Sequence, residues 1–130
     1  LLYTLGISTQ AKLVSERIFP HPKQEPFRQM FCEQIREANP RAYRRTILGI
    51  ARFDARQRLS EINIPTLIVT GNNDTTIHPD RQRELCKSIN HAQQVIIPHA
   101  GHAVIIDQAE RFNTTMFAFF REQQLASFQG

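Results

Sequence analysis

The chain is poor in the features that mark several large protein classes. Its 130 residues include only two cysteines, Cys32 and Cys86, far apart in sequence. That excludes a disulfide-stapled scaffold or a cysteine-rich zinc module, and both thiols sit in helical patterns where cysteine serves as a small apolar residue. No apolar run approaches the length of a membrane span, and the opening LLYTLGISTQ lacks a basic leader and a cleavage site, so a soluble, cytoplasmic protein with no membrane partner is expected. There is no internal repeat and no low-complexity stretch. There is also no initiator Met, and a chain that starts at Leu1 is expected to be processed or to be a piece of something longer. With 41% hydrophobic residues, the length suffices for one compact domain or part of one.

Charge is the one strong compositional bias: +4 overall, with seven arginines at positions 36, 41, 44, 45, 52, 56 and 58. They are spread around helical patterns, no aromatics interleave for base stacking, and no nucleic-acid motif accompanies them. A solvated helical surface is the expectation, and no nucleic-acid partner. Metal binding is also not expected. His78, Asp80, His99 and His102 are ligand types, yet no H-x-x-x-H pair on one helix or cysteine pair supports a centre. His91 reads as a solvated residue at a helix end and His99 as a loop neighbour of His102.

Residues 1 to 24 show little pattern and end in FPHPK, where two prolines forbid a continuous helix. Phe27, Met30, Phe31 and Ile35 then recur at helical spacing up to Asn39-Pro40, an N-cap followed by a favoured first helical residue. The next helix carries Tyr43, Ile47 and Ile50 on one side, and a short turn follows over Arg56 to Ile62. Thr66 to Thr70 is an unbroken apolar or β-branched run, expected to be buried on both faces as in a parallel sheet. Pro79 and Asp80 open a helix that points Leu85 and Ile89 inward, and Val95 to Ile97 is a second strand. Strand, helix, strand makes a right-handed crossover and a parallel pair. Asp107 and Glu110 fit a capping box for a final helix with Phe112, Met116, Phe119 and Phe120 on its core stripe.

The chemistry gathers in two loops after the strands, G-N-N-D and P-H-A-G-H. In a parallel sheet such loops lie on one edge, where ligands and reactive groups collect. They deliver Asp74 and His102, the two candidate catalytic residues. A carboxylate that accepts the Nδ1 hydrogen of an imidazole fixes its tautomer and leaves Nε2 to take a proton from a nucleophile. Gly71 and Gly101 suit a sharp turn or a close approach of two backbones.

FDARQRLSEINIPTLIVTGNNDTTI and QQVIIPHAGHAVIIDQAERFNTTMFAFF, within Phe53 to Phe120, resemble the C-terminal part of the α/β-hydrolase fold superfamily: its seventh strand, its eighth strand with the histidine loop, and its terminal helix. The resemblance implies an α/β fold made of two parallel strands with flanking helices, preceded by a helical cap segment that residues 1–52 resemble less specifically. The expected division is a cap or lid over 1–62 and an α/β part over 63–130. Asp74 corresponds to the triad acid and His102 to the triad base, acting on a small-molecule substrate with no cofactor. The family's nucleophile elbow has no counterpart here. Ser8, in G-I-S-T-Q, is the nearest candidate, but Gln10 puts a long side chain where the elbow needs a small residue.

The leading expectation is therefore part of an esterase-like hydrolase of small acyl substrates, with the nucleophile upstream. Phe27, Met30, Phe31 and Tyr43 are candidate pocket-lining residues if the helical half forms a lid. C–C bond hydrolases, dehalogenases, epoxide hydrolases and haloperoxidases share the framework, so the pocket must decide the reaction. The alternative is a binding or assembly module whose Asp/His pair is inherited and idle. The open edge of the first strand is expected to pair with another copy or with an N-terminal half.

Overall fold

A computed structural model describes residues 6–127. The chain divides between Asp54 and Ala55 into two compact units, where composition alone suggested a single core.

The first unit is helical: α1 (Ile7–Ile18), a 3-10 turn (Pro22–Gln24), α2 (Glu25–Glu37) and α3 (Pro40–Arg52). Helix α1 occupies the stretch that showed little pattern in sequence. Its inward positions, Ile7, Ala11, Val14 and Ser15, do follow helical spacing, but the two most deeply buried are Ala11 and Ser15. Small side chains let α1 approach α2, whose buried residues are Cys32 and Ile35. Phe19 closes the end of this pair against Phe27 and Phe31, at centroid distances of 6.2 and 5.8 Å. Met30, expected inward, is exposed. Helix α3 starts as read, with Asn39 Oδ1 accepting from the N–H groups of Arg41 and Ala42 at 3.0 and 3.2 Å. Its apolar side stays largely open: Tyr43 packs on the core of the unit, while Ile50 is 66% exposed.

The second unit opens with a 3-10 helix (Arg56–Glu61), which the sequence reading grouped with the helical half. Asn90 anchors it, donating from Nδ2 to Ser60 O and Asn63 Oδ1. Next come β1 (Thr66–Gly71), α4 (Pro79–Ser88), β2 (Ala92–Ile97), the single turn α5 (Val104–Asp107) and α6 (Ala109–Ser127). The strands are parallel, in register from Thr66 opposite Ala92 to Gly71 opposite Ile97. Leu67, Ile68 and Val69 are only half-buried, not covered on both faces as the unbroken apolar run suggested, and β1 has β2 as its one strand partner among the described residues.

Helix α4 turns Gln82 and Cys86 inward at i and i+4, Ile89 is buried just past its C-terminus, and Leu85 is exposed. Helix α6 contacts both strands, with Phe112 and Met116 half-buried, Phe119 buried and Phe120 exposed. Asp107 is the last residue of α5, two positions before α6 begins. Both cysteines carry free thiols. No helix of the described residues is long and apolar enough to cross a membrane.

Candidate active site

Gly71, the last residue of β1, is buried against the loop that follows β2. A Cβ built on it would strike the carbonyl oxygen of Gly101 and lie 2.7 Å from the carbonyl carbon of Ala100. Its φ is not positive, so close approach alone demands glycine here. Three hydrogen bonds then join the loops: Asn72 N–H to Ile97 O (3.1 Å), Asn73 N–H to Ala100 O (2.9 Å) and His99 N–H to Asn72 Oδ1 (2.8 Å). The last holds His99 in the left-handed region, with φ of 60°. The two asparagines of G-N-N-D therefore couple the loop of Asp74 to that of His102.

Asp74 is 4% exposed, and its carboxylate is fully engaged. Oδ1 accepts from the N–H groups of Thr76 (2.8 Å) and Ile77 (2.9 Å), a turn closed by the side chain. Oδ2 accepts from Gln82 Nε2 at 3.2 Å and faces His102 Nδ1 at 3.0 Å. Because an ionised carboxylate only accepts, Nδ1 carries the hydrogen. The residue before the histidine is tied to α5, where Asp107 Oδ2 accepts from Gly101 N–H at 2.7 Å. His102 is 32% exposed at the side chain, so the acid is enclosed while the ring keeps access to solvent.

Burial pushes the Asp74 carboxyl up, but the hydrogen bonds from Ile77 N–H, His102 and Thr76 N–H, together with the His102 charge, outweigh it and hold the group below its ordinary value of 3.8. The unfolded chain therefore binds the Asp74 proton more readily than the folded one. The stabilisation is complete above the unfolded value and is lost as pH falls through the lower folded value. Urea midpoints should accordingly drop more steeply below about pH 4 for the unmodified chain than for Asp74→Asn. Parallel curves for the two would contradict this charge balance.

The remaining sequence candidates lie elsewhere. Ser8 is exposed in the first turn of α1, within the first unit. His78 caps α4, with Nδ1 accepting from Asp80 N–H at 3.3 Å. His91 is exposed, and its carbonyl accepts from Thr66 N–H. Among the described residues no cluster of three or more His, Cys, Asp or Glu side chains could hold a metal ion. Gln82 was not singled out in the sequence, and Asp107 was read there only as part of a capping box. For Gln82 the usable signal was its place on the inward face of α4 with Cys86.

A parallel strand pair with an acid after the first strand and a histidine after the second, hydrogen-bonded at the carboxyl edge, is an α/β architecture of the kind that does chemistry on that edge. The family model described as the alpha/beta hydrolase fold matches residues 20–109, and the chain belongs to that family. It is 35% identical over 82 residues to the polyketide synthase ThaQ of Burkholderia thailandensis, covering 63% of this chain and 4% of that protein. Among solved structures, the enol-lactonase from Burkholderia xenovorans matches with a TM-score of 0.81 and 25% identity, over 92% of this chain and 47% of that one. An esterase from Exiguobacterium antarcticum shares the fold with a TM-score of 0.79 and 21% identity, over 88% of this chain and 42% of that one. The chain thus spans less than half the length of each.

Proposed function

We propose that these 130 residues furnish the acid and base of a hydrolase acting on small acyl compounds. His102 is the general base and then the general acid, Asp74 orients it, and the nucleophile comes from polypeptide outside this sequence. The observation that carries the reading is the 3.0 Å contact between His102 Nδ1 and Asp74 Oδ2, made from a buried carboxylate to a partly open ring. Such a pair fixes the tautomer and stabilises the imidazolium that forms when Nε2 takes a proton. Likeness to an enol-lactonase supports a carbonyl substrate, and the share of that enzyme left uncovered leaves room for a nucleophile. The first unit is assigned as the cap, and two free thiols suit a reducing, cytoplasmic setting. The chain alone should hydrolyse p-nitrophenyl esters no faster than free imidazole. A burst with an acyl-enzyme formed on residues 1–130 would contradict the reading.

The same reading assigns a partner to the free edge of β1, either another copy or the N-terminal half of the same enzyme. Leu67 and Val69 of β1, with Phe112, Met116, Phe119 and Phe120 of α6, line a cavity of about 350 Å³ beside that strand. An isolated two-stranded pair is marginal in water, and an unpaired edge is a template for another strand. Sedimentation equilibrium at micromolar concentration should give a mass above 15.0 kDa for the chain alone. A folded monomer with slowly exchanging β1 amides would mean that the edge is already covered.

A further inference from the structure

A second set of polar groups meets the acid at the same oxygen that faces His102. Gln82, in the second turn of α4, uses both amide hydrogens: Nε2 donates to Asp74 Oδ2 at 3.2 Å and to Ile77 O at 3.0 Å. Its Oε1 accepts from the hydroxyl of Thr70 at 2.9 Å. Thr70 lies in β1 with 0% exposure, and its oxygen in turn accepts from Gln94 Nε2 of β2 at 2.8 Å. Gln94 Nε2 also stands 3.5 Å from Pro79 O.

The sense of this chain is forced. Asp74 is ionised and can only accept, so Gln82 must turn its nitrogen to the carboxylate and its oxygen to Thr70. A hydroxyl has one hydrogen, which Thr70 gives to Gln82, so Thr70 can only accept from Gln94. Four side chains from β2, β1, α4 and the acid loop are thereby wired in one direction, Gln94 to Thr70 to Gln82 to Asp74.

From this geometry we propose that Gln82 sets how strongly Asp74 grips His102. The amide and the imidazole donate to the same oxygen, Oδ2, and two donors on one acceptor share its electron density. Gln82 therefore weakens the histidine's bond to the acid, and Thr70 and Gln94 reinforce Gln82 because each bond in a directed chain polarises the next. The carboxylate does not depend on Gln82 for its orientation, since Oδ1 is already held by two backbone N–H groups. Gln82 touches no reacting atom and acts only through Asp74, so it is a positioning residue. The inference rests on the assignment of Asp74 and His102 as an acid and base pair.

The test is the His102 Nδ1–H proton resonance of the 130-residue chain at matched pH. In Gln82→Met that resonance should move downfield, because Oδ2 is left to the imidazole alone. In Thr70→Val, which keeps the shape of the residue and removes the hydroxyl, it should move the same way by less. Should Gln82→Met fail to fold, Thr70→Val alone decides by the sign of its shift. A role confined to tying α4 to β1 would lower stability in both variants and leave the resonance in place, and that result overturns the proposal. Absence of a hydrogen-bonded Nδ1–H signal in the unmodified chain would instead remove the Asp74 and His102 assignment, and this inference with it.

Discussion

His102→Ala, made in a polypeptide that also contains the nucleophile, is expected to lower kcat by about 10⁶-fold and leave folding intact. The ring is partly exposed, so its loss creates no large void, and the bond it gives up at Asp74 Oδ2 leaves that oxygen still bonded to Gln82. Chemistry suffers far more than stability, because the nucleophile loses the imidazole that Asp74 orients to take its proton. Asp74→Asn should cost about as much or somewhat less in turnover. It differs in its second effect, because the buried site loses the charge that four donors converge on. Steady-state kinetics with an activated ester, beside a thermal melt, separates the two outcomes. Near-unchanged kcat in folded His102→Ala would mean that another residue is the base.

Gly71→Ala should cost the second unit a large share of its stability for a change of one methyl group. The added carbon would press on the backbone of Ala100 and Gly101, which cannot rotate aside as a side chain would. Relief requires the strand end and the histidine loop to part. That movement breaks the bonds from Asn72 N–H to Ile97 O and from Asn73 N–H to Ala100 O, and carries His102 away from Asp74. Overpacking of this kind, with lost backbone hydrogen bonds, costs about 3 kcal/mol or more. Urea unfolding followed by a probe in the second unit measures it. A change within about 0.5 kcal/mol, the size of an ordinary surface substitution, would show that the two loops are not in contact.

The parts of the second unit that place the pair were legible because their signals are local. The apolar run at 66–70, the proline at the first position of α4, and an acid and a histidine after successive strands each speak for a few residues at a time. What failed depended on partners distant in sequence. Helix α1 escaped notice because its contact face is built on Ala11 and Ser15, which carry little hydrophobic signal although their spacing is helical. Leu85, Met30 and Phe120 have the right period for a buried face and are exposed, since periodicity marks a stripe without saying what covers it. Asp107 was read only against α6, and the single turn α5 also carries its carboxylate to Gly101 N–H, a contact with no local sequence signal. Gln82 and Gln94 drew no attention in the sequence because an amide in a polar network declares itself only through the groups that satisfy it.

The claim that His102 and Asp74 serve a nucleophile from outside these 130 residues is tested most directly by labelling. A longer polypeptide containing this sequence is treated with a fluorophosphonate, digested, and the modified peptide is identified. The account predicts one adduct on a hydroxyl residue outside residues 1–130, and its disappearance in His102→Ala. An adduct on Ser8 or any other residue of this sequence, or labelling undiminished by His102→Ala, would contradict it.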